Sequence, residues 1–257
     1  MKKIAVVTGA SGGIGRCFAK TLSCHGEYDE VWVIARSEAK LESLRSEIPY
    51  PLRVLSLDLS EDRAMGEYKA YLEAENPRVA LLINCAGYGK FDAFEKLSYE
   101  ENIGMIDLNC RALTALTYLS LPYMGEGSEI INIASVAAFQ PIPYIGVYGA
   151  SKAYVLSFSR ALGREVDKRG IRVLAVCPFW TRTNFFDRAV NSEKQAVVKK
   201  YVAMYAPEYI VETTWRAMKK KKKDICIPGF KSKAQVLAVK LLPHKLVMGI
   251  WKKQQKL

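Results

Sequence analysis

Short runs rich in Val, Ile and Leu recur along this 257-residue chain, each followed by a longer stretch with apolar positions three and four residues apart. Ile4–Thr8 precedes a helical pattern from about Gly13 to His25, Val31–Ala35 one from Glu38 to Glu47, and Leu52–Leu57 one from Glu61 to Glu75. Ala80–Asn84 leads into a long segment ending near Tyr123, and Glu129–Ala134 precedes a helix starting near Tyr148. Ile171–Cys177 follows that helix, and Asp224–Ile227 reads as a last strand. The runs do not alternate apolar with polar residues. That is the pattern of strands covered on both faces. Alternating strands and helices of this kind predict an α/β fold, a doubly wound parallel sheet of about seven strands with right-handed crossovers and helices on both faces. No internal repeat or linker breaks the pattern. Residues 1–228 therefore read as one domain, and 229–257 as a helical appendage of the same domain.

Composition changes this picture little: half the residues are hydrophobic and a quarter charged, as in ordinary globular chains. Charge changes it more. Of the net +12, most lies after Ala217, where twelve lysines face one acid, Asp224, so the rest of the chain is close to neutral. The run Lys219–Lys223 accounts for five of those lysines. In the appendage, Pro243 interrupts an apolar helix. Beyond it, a helical wheel puts Lys245, Lys252 and Lys256 on one face and Leu246, Val247, Ile250 and Trp251 on the other. Such a basic amphipathic helix can pack its apolar face on the body or on a second subunit, or lie peripherally on an anionic membrane. Nucleic acid is not expected, since the segment has lysine without arginine and no recognisable module.

The six cysteines form no CxxC pair and the two histidines, His25 and His244, lack ligand spacing. Reduced thiols, a cytoplasmic location and no metal site are the expectation. The N-terminal apolar stretch runs straight into a glycine turn, so it reads as a strand and not a leader. No apolar run reaches the length needed to cross a bilayer.

The glycine turn Thr8–Gly15 falls between a strand and a helix, the setting in which backbone N–H groups and a helix dipole receive a pyrophosphate. Gly9 permits the tight turn, Gly13 the close approach of the phosphate, and Gly15 the packing of helix on sheet. Ser11, Gly12 and Ile14 complete the loop. At the end of the second strand, where an acid would hold ribose hydroxyls, the chain has Ala35-Arg36-Ser37. Arg36 and Ser37 suit a 2′-phosphate, which favours NADP(H) over NAD(H). Tyr148 and Lys152 lie at i and i+4 on one helix face. A tyrosine titrates near pH 10, and a neighbouring ammonium is expected to lower that value. Ser135, at the end of the fifth strand, can polarise a carbonyl that Tyr148 then protonates.

With these motifs in order, residues 4–185 resemble the short-chain dehydrogenase/reductase family, with its Rossmann-type sheet. The glycine turn matches TGxxxGxG at Thr8, Gly9, Gly13 and Gly15. The resemblance implies that Asp58, with Leu59, meets the adenine region. Asn84, Ala86 and Gly87 fall in the NNAG stretch, with Cys85 in place of its second asparagine; a structural effect is expected there. Asn109 matches the asparagine that holds a relay water, Ser135, Tyr148 and Lys152 the catalytic set, and Lys152 also the ligand of the nicotinamide ribose. Pro178 is matched, but Phe179 replaces the glycine after it. Thr181 or Thr183 is implied as the partner of the carboxamide, Thr181 closer in spacing. The family also implies a homodimer or homotetramer.

Two aromatic stretches, Phe139–Tyr144 and Phe179–Phe186, occupy the substrate side. They predict a bulky apolar carbonyl or alcohol such as a steroid, acyl chain or aromatic ketone. Arg182 is a candidate for a substrate carboxylate or phosphate. The leading expectation is an NADP(H)-dependent reductase or alcohol dehydrogenase; the alternative is a cofactor-binding regulatory or scaffold protein without turnover.

Overall fold

The strands are β1 (Lys3–Thr8), β2 (Glu30–Ala35), β3 (Leu52–Ser56), β4 (Arg78–Asn84), β5 (Glu129–Ile133), β6 (Arg172–Val176), β7 (Trp180–Thr181), β8 (Met204–Tyr205) and β9 (Ile225–Cys226). Seven of them form a sheet in the order β3-β2-β1-β4-β5-β6-β9, with every pairing parallel. The computed structural model describes residues 1–189, 197–201, 203–220 and 223–257. Of the lysine run, Lys221 and Lys222 fall outside the described residues.

The helices are α1 (Gly13–Lys20), α2 (Glu38–Glu42), α3 (Asp62–Glu75), α4 (Tyr99–Ile106), α5 (Leu113–Ser120), α6 (Gly146–Glu165), α7 (Phe185–Ala189), α8 (Pro207–Met218), α9 (Phe230–Leu241) and α10 (His244–Gln255). Alternate strand residues enter opposite cores, which is why the strands show no polar face. Ala5, Val7, Val33 and Ile83 pack with Phe18 of α1 and Trp215 of α8. Ile4, Val6, Trp32 and Leu82 pack with Tyr68 of α3, Leu116 of α5 and Leu162 of α6. The architecture is the doubly wound α/β sheet that the pattern predicted. The expected first helix is shorter, stopping at Lys20 before a tight turn at Leu22–Cys24. Helix α8 was not anticipated although Ile210, Val211, Trp215 and Met218 recur at helical spacing on its buried face, and the strands of the β7–β8 pair, two residues each, are too short to show a period.

One polar ladder crosses this apolar interior. Asn84 and Asn132 face each other in register on β4 and β5. The Asn84 amide donates to Asn132 Oδ1 at 2.9 Å and to Thr117 Oγ1 at 3.0 Å, and Asn132 Nδ2 donates to Ser159 Oγ at 2.9 Å. All four residues are buried. The chain crosses from one half of the sheet to the other between β1 and β4, and a crevice opens there at the carboxyl ends of the strands, as such switch points do.

Candidate active site

A continuous cavity of about 690 Å³ runs along those strand ends. Its first wall is the turn between β1 and α1. Gly9 (φ +67°) and Gly13 (φ +53°) adopt left-handed backbone, which strains other residues. Gly15 is constrained by space: a Cβ there would overlap the Gly9 carbonyl. The space beside Gly12 is open to the cavity. Thr8 ties this turn across the switch point, since its Oγ1 accepts from the N–H groups of Cys85 and Ala86, both at 3.0 Å.

The second wall carries Arg36, Ser37 and Lys40 from the end of β2 and from α2, facing Asp58, Leu59 and Ser60 after β3. Asp58 Oδ1 accepts from the Ser60 N–H at 3.0 Å and from its hydroxyl at 2.5 Å. The Arg36 guanidinium lies 3.7 Å from the other Asp58 oxygen and is 59% exposed, so this is a weak, solvated pair.

Deeper, Ala86 and Gly87 pass above Lys152, whose Nζ donates to the Ile133 carbonyl at 2.8 Å. A Cβ on Gly87 would come within 2.8 Å of Asn109 Oδ1 and 3.3 Å of Lys152 Nζ. Between α4 and α5 the helix widens into a π turn, Asp107–Ala112, and Asn109 sits in it. Its Oδ1 accepts from Tyr88 N–H at 3.0 Å, while its Nδ2 donates to Tyr88 O at 2.9 Å and Ser151 Oγ at 3.0 Å. Burial lowers the Lys152 ammonium from its ordinary 10.5 to about 8.

Tyr148 stands one turn before Lys152 on α6. Phe91 lies 5.9 Å and Phe185 5.6 Å from its ring centre, and a Cβ on Gly89 would press on its ring at 2.8 Å. The Lys152 ammonium is 5.8 Å from the ring centre. Burial pushes the Tyr148 phenol up to about 12, and its hydrogen bond with Ser135 acts against that rise. The shift runs opposite to the lowering expected from the lysine: desolvation sets it, and the Ser135 hydrogen bond is what opposes it.

A model of the short chain dehydrogenase family matches residues 3–194. The chain belongs to the short-chain dehydrogenase family. An NADP-dependent 3-hydroxy acid dehydrogenase of Escherichia coli is 32% identical over 218 residues, 82% of this chain and 87% of that protein. A short-chain dehydrogenase from Sphingobium yanoikuyae, solved in complex with NADPH, is similar in structure at 28% identity. Its TM-score is 0.79, and the match covers 93% of this chain and 92% of that one. A bulky-bulky ketone specific alcohol dehydrogenase from Comamonas testosteroni gives a TM-score of 0.73 at 25% identity over 95% of each chain.

In this short-chain dehydrogenase the cavity wall contains Gly9, Ser11, Gly12, Gly13, Ile14, Gly15, Arg36, Ser37, Asp58, Leu59, Ala86, Gly87, Ser135, Tyr148, Lys152, Pro178, Thr181 and Thr183. Two residues expected there stand behind the wall. Asn84 belongs to the buried ladder, and Asn109 braces Tyr88 from below. Cys85 leaves the sheet intact, because the amide that crosses it is Asn84; burial raises the Cys85 thiol to about 12. Phe179 keeps a negative φ, so no glycine is needed there, and its ring joins the cavity wall beside Trp180. Arg182 is exposed and outside the wall.

The aromatic end of the cavity joins residues that the sequence named to others that it did not. Trp180 packs on Phe91, Phe186 and Tyr201. Lys40, Lys200, Gln235, Trp251 and Gln254 also line the cavity. The last three come from α9 and α10. Trp251 Nε1 donates to the Pro143 carbonyl at 3.1 Å. Gln255 is fully buried; its Oε1 accepts from Lys199 and Lys200 N–H at 2.8 and 2.9 Å, and its Nε2 donates to Lys200 O at 3.0 Å. No local pattern signals these contacts; only the apolar character of Val247 and Trp251 hinted at an inward face.

Proposed function

We propose that this short-chain dehydrogenase is an NADP(H)-dependent oxidoreductase that interconverts a bulky apolar carbonyl compound and its secondary alcohol. The observation that carries the reading is one cavity joining two ends. Tyr148, Ser135 and Lys152 stand among aromatic rings at one end, and Arg36, Ser37, Lys40 and the glycine turn line the other.

The residues present fit a nicotinamide dinucleotide. Gly12 leaves open space at the start of α1, where N–H groups and the helix dipole favour phosphate. Arg36 and Lys40 supply positive charge for a 2′-phosphate, and Ser37 a hydroxyl. Asp58 and Leu59 would border the adenine, and Thr181 or Thr183 the carboxamide beside Pro178. The bound cofactor supplies or accepts the hydride. The protein moves the proton: the Tyr148 hydroxyl gives it to the carbonyl oxygen in reduction and recovers it in oxidation. Ser135 holds that oxygen by hydrogen bonding. Lys152, as an ammonium, stabilises the phenolate left behind and would bind the nicotinamide ribose. Asn109 shapes the floor under Lys152 through the π turn, a feature often found at functional sites.

Residues 1–228 would carry this chemistry, and 229–257 would form an appendage of the same domain that closes one wall. Ile142, Phe179, Trp180, Phe185, Phe186 and Trp251 support the apolar substrate. Exposed Tyr99, Ile106, Tyr118 and Tyr154 on α4, α5 and α6 support a homo-oligomer built on these helices.

The test is consumption of NADPH, and separately NADH, with ketosteroids, 3-ketoacyl thioesters and aromatic ketones. Turnover of one class with NADPH preferred is the expected result. Tight NADPH binding without turnover of any class would return the chain to the regulatory reading.

A further inference from the structure

Helices α9 and α10 have two faces each, and only one is used by the body. On α9, Ser232, Val236 and Val239 are buried. At roughly 100° per residue, Phe230, Leu237 and Leu241 fall together on the opposite side, and they are 84%, 60% and 76% exposed. On α10 the sequence grouped four apolar residues on one face, but the structure divides them. Val247 is buried and Trp251 partly covered against the body, whereas Leu246 and Ile250 are more than half exposed. Each helix therefore turns a second apolar stripe to solvent. Lys233 lies beside the stripe of α9, and Lys245, Lys252, Lys253 and Lys256 stand beside that of α10, all exposed; the Lys240 ammonium instead lies over the Phe139 ring of the body. No acid occurs in the chain after Asp224.

We propose that the outer face of α9 and α10 docks on an anionic lipid bilayer, with the leucine stripes in the acyl boundary and the lysines among the headgroups. Exposed apolar rows rimmed by polar residues mark interaction surfaces. The flanking charge selects the partner. A symmetric contact between two copies would set lysine against lysine with no acid to offset it. An anionic surface attracts every one of them, and an apolar stripe framed by lysines is the form of an interfacial helix. No helix among the described residues is long and apolar enough to cross a membrane, so the contact is peripheral. It does not rest on the proposed reaction.

The experiment is co-sedimentation of the full chain with vesicles of phosphatidylcholine mixed with phosphatidylglycerol, against phosphatidylcholine alone. The wild type should bind the mixed vesicles and release as salt is raised. The pair Leu237→Ser and Leu241→Ser should lower partitioning ~10-fold or more, and Lys233→Gln, Lys245→Gln and Lys253→Gln together ~100-fold. These positions are exposed, so an unchanged thermal melt shows that the variants are folded. Absence of binding to the mixed vesicles overturns the proposal. So does binding that survives the leucine changes, which would be adsorption by charge alone. Concentration-dependent self-association in sedimentation velocity, removed by the leucine changes, would make a second copy the occupant and also overturn it.

Discussion

The two ends of the cavity are built by different rules. The end with Gly9, Gly13 and Gly15 is made of main chain: positive φ at two glycines and no room for a Cβ at the third. The end with Phe179, Trp180, Phe185 and Trp251 is made of side chains from segments far apart in sequence, held by ring packing and by Gln255. A backbone site tolerates almost no substitution but recognises what every dinucleotide shares. A side-chain site can be reshaped one volume at a time. The difference teaches that cofactor class is fixed where sterics are absolute, and substrate choice where they are adjustable.

The strongest way to break this comparison is at the junction of the ends. Tyr148→Phe should lower kcat ~10³-fold or more, with the NADPH dissociation constant nearly unchanged in fluorescence titration. Retained turnover would remove Tyr148 from the mechanism. Gly15→Ala probes the backbone end: overlap with the Gly9 carbonyl should cost about 1–3 kcal/mol of stability in denaturant titration and weaken NADPH binding. A silent substitution would mean that the turn is adjustable after all. Arg36→Ala should raise the KM for NADPH ~10- to 100-fold and leave that for NADH unchanged. Trp251→Ala sharpens the side-chain end. It should lower kcat/KM for a bulky ketone ~10-fold without changing NADPH affinity.

A pH profile separates the two titrating groups. With Lys152 near 8, its ammonium is present below that pH and lost above it, while Tyr148 stays protonated up to about 12. So kcat/KM for reduction should be level below about pH 8 and fall above it. The same depression acts on stability with the opposite sign. Between about 8 and 10.5 the unfolded chain holds the lysine proton more often than the folded one, so stability from this group rises with pH across that window.

What the sequence made legible follows the same division. Thr8–Gly15 could be read because glycine is demanded by local backbone, and Ser135, Tyr148 and Lys152 because strand end and helix period place them without tertiary knowledge. Asn109 was reachable only by resemblance, since nothing in its neighbours marks a π turn. Lys40, Lys200, Gln235 and Gln254 were illegible because packing alone brings them to the cavity, as it brings Phe91 against Tyr148 and Gln255 against Lys199 and Lys200. The direction of the Tyr148 shift was misread for a related reason: a pairwise argument from Lys152 contains no account of desolvation by Phe91 and Phe185.

The Asn84–Asn132 ladder has a consequence for how the sheet finds its alignment. Strands that are apolar on both faces carry little information about which residue pairs with which, and a slide by two positions keeps every side chain in an oily core. The two amides remove that degeneracy. Any slipped pairing of β4 and β5 would strand both of them among aliphatic groups, at about 1–3 kcal/mol for each unsatisfied group. Asn84 lies three residues before Gly87, and Asn132 three before Ser135. The ladder thus acts as a key that sets two walls of the cavity to the same depth before any ligand arrives.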